Sequence, residues 1–200
     1  MHGLVNRAVQ CFLCDVYSAE LSRKVLTAAG FDPGAGFSVL RQYDDALTEE
    51  LVAAASRELG QPTPDFLEDL GVYLASHESC ANIRRLLRFG GDSFPEFLHS
   101  LTELQDRVRL AVDDLVLPEI ELRQHDSGRL SLSVLGDHAG IGYVLTGILR
   151  AMADDYGALA LFENVGRYGR AETISIQLLD VHYAGGQAFD LMAAMSGGKG

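Results

Sequence analysis

The hydrophobic period of this chain changes at Pro118, and that change limits the folds open to it. Before Pro118, apolar residues recur at three- and four-residue steps, as on the buried face of a helix. After it, short segments alternate apolar with polar, as strands covered on one face do. The first half therefore predicts a series of helices. His2 to Tyr17 is amphipathic, and Ala19 to Ala29 is a second helix closed by Gly30. The link "GFDPGAGF" is rich in turn formers, with Phe31 and Phe37 expected to dip into the core. Tyr43 leads into the capped helix "DDALTEELVAAASREL", which stops at Gly60. A further helix starts at Thr63 with Pro64 in its first turn, "CANIRRLLRFGG" ends on paired glycines, and Ser93 opens a helix running to Leu110.

Beyond Pro118, "EIELRQHD" and "RLSLSVLG" flank the turn at Asp126, Ser127 and Gly128 and read as a hairpin. "GIGYVLTGILRAMADDYG" is a helix, and "LALFENVGRYG" and "TISIQLLDVHYA" are two more strands. A helical half joined to a hairpin, helix, hairpin unit defines the α+β class. One domain over residues 1–183 is expected, with 184–200 as a loose tail. The chain has 200 residues, 48% of them hydrophobic and 22% charged, which is enough to bury one sizeable core. Its formal charge of −12, without a Lys/Arg tract, argues against nucleic acid or an anionic membrane as partner. No apolar run is long enough to span a bilayer, and the first residues lack the features of a secretory signal, so a cytoplasmic protein is expected.

Within the helix from Ser93 to Leu110, the side chain at Gln105 shares a face with Leu98, Leu101, Val108 and Val112 and is expected to point inward. His99, six residues earlier, lies roughly 120° away around the axis and cannot point at the same spot on an unbroken helix. A buried carboxamide both donates and accepts hydrogen bonds. Gln105 is therefore either a contact for the polar head of a ligand or a satisfied glutamine of the core or its rim.

Several segments together resemble the H-NOX family of haem-nitric oxide/oxygen sensor domains over residues 1–183. They are "MHGLVNRAV" at the start, "AASRELG" at residues 54–60 and "GGDSFPEFL" at residues 90–98, in the order of elements given above. The resemblance implies that "LTELQDRV" is the segment carrying the iron-binding histidine, and here that position is Gln105. It also implies that "VLGDH" matches the Y-x-S-x-R motif whose hydroxyls and guanidinium hold the haem propionates. Val134, Gly136 and His138 stand at the three motif positions, and Asp137 adds a negative charge. Pro118 matches the proline that packs on the haem face. The pocket so implied is bordered by Val5 and Val9 of the first helix and by Leu74. Leu98, Leu101, Gln105 and Val108 border it from the next wall, with Pro118, Val134, Gly136 and His138 beyond. Tyr143, Val144 and Ile148 of the last helix complete it.

A carboxamide is a poor iron ligand beside an imidazole, so no cofactor is expected, haem included. The leading reading is a haem-independent sensor. It would hold an apolar ligand such as a fatty acid in the former haem cavity and signal to a partner such as a histidine kinase or cyclase. The alternatives are a haem-binding gas sensor with non-standard ligation, through His138 or a cysteine, and an unliganded interaction module whose cavity has filled. Cys11 and Cys14 form C-x-x-C on a helix without further ligands for zinc, and are expected to be buried as small apolar side chains. The acidic pairs are all adjacent residues, which diverge on a helix, and no nucleophile elbow or phosphate loop occurs, so no enzyme is expected.

Overall fold

Four side-chain caps set helix starts in the first half. His2 Nδ1 accepts from Leu4 N, Ser18 Oγ from Leu21 N, Asp44 Oδ1 from Ala46 N and Ser93 Oγ from Glu96 N. The computed structural model describes residues 1–110, 112, 114–126 and 128–186. The helices are α1 (Gly3–Phe12), α2 (Ala19–Ala28), α3 (Asp45–Leu59), α4 (Thr63–Ser76), α5 (Ala81–Arg88), α6 (Phe94–Ser100) and α7 (Leu104–Arg109). The second half adds β1 (Glu119–Gln124), β2 (Leu130–Leu135), α8 (Ile141–Tyr156), β3 (Leu159–Tyr168) and β4 (Ala171–Asp180). The expected stop at Gly60 is a left-handed cap, φ +64°, a conformation that favours glycine.

The strands form one antiparallel sheet in the order β1-β2-β4-β3, so the two hairpins join through β2 and β4. Its inner face carries Leu130, Leu132 and Val134 of β2 and Ile174 and Ile176 of β4, all buried in one apolar cluster with residues of α6 and α8. A second cluster fills the helical half: Val9, Phe12, Leu13, Val25, Leu26, Leu51, Phe66 and Leu70 are buried there. Phe37 is buried with it, and Phe31, half-buried, stacks on Phe37 at 4.1 Å. No helix among the described residues is long and apolar enough to cross a membrane.

The two halves meet where α4 crosses α8. A Cβ at Gly71 would lie 2.0 Å from the Val144 carbonyl oxygen, and one at Gly147 would lie 1.9 Å from that of Glu68. Glycines on both helices therefore let the backbones touch.

Two helices depart from the expected course. The helix from Ser93 to Leu110 is interrupted by a 3₁₀ turn, Leu101–Glu103, between α6 and α7. Ser100 Oγ and Thr102 Oγ1 donate back to the carbonyls of Phe97 and His99, and Arg107 donates to the Ser100 carbonyl at 2.5 Å, which draws backbone bonding away from the α pattern. Three residues at about 120° rather than 100° per step turn everything beyond them by about 60°. The first helix likewise ends in a π-helical segment, Leu13–Tyr17, which changes the phase after Leu13. Cys14 is consequently exposed, not buried as expected; Cys11 is half-buried, Cys80 buried, and all three are free thiols.

Candidate functional site

The expected pocket residues fall on both sides of the α4/α8 crossing. Val9 is buried in the helical cluster, with Leu74, Tyr143 and Val144 packed against it. Leu98, Leu101 and Val134 are buried in the sheet cluster, with Ile148 against it. Val108 is buried, and Val5 and Pro118 are half-buried. Pro118 touches Gly136, where a Cβ would lie 3.3 Å from the proline Cβ. Gln105, which follows the 3₁₀ turn, is half-buried, whereas Leu101 and Val108 on either side of it are buried.

Two cavities lie elsewhere. One of about 500 Å³ runs along Glu20, Arg23, Lys24, Thr27, Ala28 and Glu58. The other, about 280 Å³, is lined by Val72, Ala75, Ser76, Arg84, Ala151, Asp154 and Asp155. Neither is lined by any residue of the expected pocket.

The loop between β2 and α8, which carries Gly136 and His138, is held by side chains from the β3–β4 hairpin. Arg167 Nη2 donates to the carbonyls of Gly136 (3.2 Å) and Asp137 (3.1 Å). Arg170 grips the Asp137 carboxylate with two nitrogens, at 2.6 and 3.0 Å. Glu172, 8% exposed, accepts from the backbone amides of Gly140 (2.7 Å) and Gly142 (2.6 Å) at the start of α8. Arg167 Nη1 lies 3.5 Å from Glu172 Oε1. Sheet register explains the grouping, because Glu172 pairs with Val134 on one side and Arg167 on the other. Thr146 donates to the Gly142 carbonyl and accepts from Asn164, which ties the first turn of α8 to β3. His138 lies with its Nε2 3.9 Å from Asp45 Oδ2 on α3.

Sequence reading missed Glu172, although its strand carried a signal. In "AETISIQLL" the alternation that turns Ile174 and Ile176 inward also turns Glu172 inward, and an inward carboxylate requires donors. Two further polar groups were also missed. Tyr73 donates to Asp15 at 2.6 Å, and that hydrogen bond holds the Asp15 carboxyl below its ordinary pKa, while burial pushes the Tyr73 phenol up. Asp155 is buried between Arg84 and Arg88.

These residues do not fit a haem. The position that would face an iron carries a carboxamide, Val134 and Gly136 offer no hydroxyl, and His138 faces Asp45. The groups nearby that could receive a propionate, the α8 amides and two arginines, are engaged with Glu172 and Asp137 of the chain itself.

The sequence profile described as haem-NO-binding matches residues 2–161, most of the chain. Soluble guanylate cyclase gcy-31 of Caenorhabditis elegans is 20% identical over 183 residues, which are 92% of this chain but 24% of the cyclase. The chain thus spans about a quarter of that relative. Among solved structures, a point mutant of the T. tengcongensis H-NOX superposes with a TM-score of 0.73 at 13% identity, covering 90% of this chain and 99% of that one. The S. oneidensis H-NOX in its Fe(II)NO state gives 0.72 at 13% identity, covering 90% and 100%. The fold is therefore that of an H-NOX sensory domain. The chain belongs to the haem-NO-binding family.

Proposed function

We propose that this chain is a haem-independent member of its family, a sensory domain over residues 1–183 that signals to another protein without an iron centre and without catalysis of its own. The observation that carries the reading is the pairing of a half-buried Gln105 with a sheet position, Val134, buried in hydrocarbon. One lacks the imidazole that would hold iron and the other the hydroxyl that would hold a propionate. The stimulus on this reading is an apolar molecule, a fatty acid or another long-chain compound, entering between the helical half and the sheet half. Binding there would change how the two halves sit on each other, and a cytoplasmic signalling partner such as a kinase or cyclase would respond. The test is haem titration of purified protein together with mass spectrometry of organic extracts. Stoichiometric haem uptake with a strong Soret band would refute the reading; a long-chain compound released from folded protein would support it.

A second reading, a filled interaction module, is favoured by the glycine contacts at Gly71 and Gly147, which bring the two helices into backbone contact between the halves. The same extracts distinguish it, since a filled core releases nothing.

A further inference from the structure

We infer that the cavity beside the α4/α8 crossing, between these helices and α5, is a second ligand site, one that takes a small primary ammonium compound with a short aliphatic body. It is separate from the site proposed above and does not rest on that reading.

The cavity follows from the spacing of small residues. α4 and α8 run side by side in one direction, with Leu67 against Gly140, Gly71 against Val144, and Gly147 against Glu68 and Val72. Four residues beyond each crossing glycine stands an alanine, Ala75 on α4 and Ala151 on α8. Such short side chains leave the space past the glycine contact unfilled, and the cavity there measures about 280 Å³. Ala75 is buried, Ala151 half-buried and Val72, at the rim, 37% exposed, so one wall is apolar. α5 supplies the opposite wall, where Arg84 holds the Asp155 carboxylate through Nε, at 3.2 Å, and Nη2. The volume falls just short of the roughly 300–1,000 Å³ of sites for drug-sized molecules, so the occupant is small.

The polar lining selects its charge. Ser76, Arg84, Asp154 and Asp155 make up that lining, two carboxylates against one guanidinium. Asp155 is answered by Arg84 and Arg88, whereas the Asp154 carboxylate has no hydrogen bond or ion pair among the described residues. Ser76 Oγ donates to the Val72 carbonyl at 2.7 Å, which leaves it only lone pairs to offer. A guest at this wall must therefore donate, and a positive charge suits it. Ala75 and Ser76 lie in the last turn of α4, and Asp154 and Asp155 in the last turn of α8, so both helix dipoles bring negative charge to the cavity. The net charge of −12 favours the approach of a cation over that of an anion. An ammonium supplies the donors that Asp154 and Ser76 lack, and its aliphatic body covers Ala75, Ala151 and Val72. The amide of Val72 is also the atom that a Cβ on Gly147 would meet at 2.9 Å, so the guest sits beside the joint of the two halves.

The test uses the full chain and n-butylammonium chloride, titrated against sodium chloride at equal ionic strength and against n-butanol, with binding read by calorimetry and thermal midpoint. Asp154→Asn removes the charge at an exposed position. Ala151→Leu fills the cavity, and Ser76→Leu at the exposed rim serves if the Ala151 variant does not accumulate folded. The wild type is expected to bind n-butylammonium saturably and about tenfold or more tightly than n-butanol. Asp154→Asn should lose about tenfold or more, as the removal of a charge-assisted hydrogen bond gives, and the filled variant should not bind. Absence of saturable binding by the wild type overturns the inference, as does equal binding of the alcohol. Undiminished binding in Asp154→Asn defeats the charge argument, and undiminished binding in the filled variant puts the amine outside the cavity; either result also overturns it.

Discussion

Replacing Gly147 with alanine tests the joint between the two halves. Alanine in a helix interior is favoured over glycine by about 1 kcal/mol, so intrinsic propensity alone predicts a stabilised protein. The crossing reverses that. The new Cβ would lie 1.9 Å from the Glu68 carbonyl oxygen and 2.9 Å from Val72 N, both backbone atoms of α4 that no rotamer change can move. Reaching the 3.4 Å of ordinary contact requires α4 and α8 to part by about 1.5 Å, and such a gap forfeits dispersion along the seam. Overpacking of a rigid contact costs about 1 to 3 kcal/mol, and more where backbone must shift, so a net loss of about 2 kcal/mol is expected after the propensity gain. For a chain this size that is a fall of about 4–8 °C in midpoint. Urea unfolding of the wild type, Gly147→Ala and the control Gly185→Ala, whose added Cβ would have nothing within 4 Å, gives the comparison. A Gly147→Ala protein as stable as the wild type would show that the helices do not touch there.

Gln105→His alone should not confer tight haem binding, because the propionate partners stay missing; adding Val134→Tyr, Gly136→Ser and His138→Arg should raise uptake, and stoichiometric titration of the single variant would contradict this. Leu101→Phe, at a side chain 1% exposed, should overpack the sheet cluster and lower stability by about 1 to 3 kcal/mol in a denaturant melt, whereas an open cavity beside Leu101 would leave the midpoint unchanged or raised. Asp155→Asn should cost about 3 to 5 kcal/mol, since its carboxylate is 6% exposed and answers two arginines; a loss under about 1 kcal/mol would show the cluster rearranges freely. The Asp15 carboxyl, lowered chiefly by the Tyr73 hydroxyl, contributes stability that is present above the ordinary carboxylate pKa and fades as the pH falls through its lowered value. Tyr73→Phe should therefore flatten the acid limb of a stability–pH curve, and an unchanged acid limb would refute that link.

Elements set by local chemistry were legible in the sequence, whereas those set by register and distant partners were not. The change of period at Pro118, the capped start of the helix "DDALTEELVAAASREL", Ser93 as a helix start and the stop at Gly60 all act within a few residues, and each has its expected structural outcome. The 3₁₀ break at Leu101 depends on Arg107 reaching back to Ser100, which a periodic pattern of apolar residues does not reveal. Glu172 needed the β2–β4 register to place it beside Val134, and Asp155 pairs with Arg84 across 71 positions of sequence. Gln105 is half-buried beyond that 3₁₀ turn, and its angle depends on the three residues before it.

The α4/α8 joint and the polar contacts of the β2–α8 loop tie the two halves of the fold together. The apolar contact is made directly, α4 against α8, through glycines that permit backbone approach. Glu172, Arg167 and Arg170 hold the β2–α8 loop and the start of α8 at six polar contacts. Because α8 packs on the sheet and α4 on the helical bundle, a displacement of one half relative to the other acts on this seam. His138 facing Asp45 adds a polar contact from the β2–α8 loop to α3, and His2 facing Asp114 at 3.2 Å adds one from the start of α1 to the segment before β1. A ligand that parted α4 from α8 would therefore act on both halves at once, and the stiffness of the glycine contact sets how much binding energy it must supply.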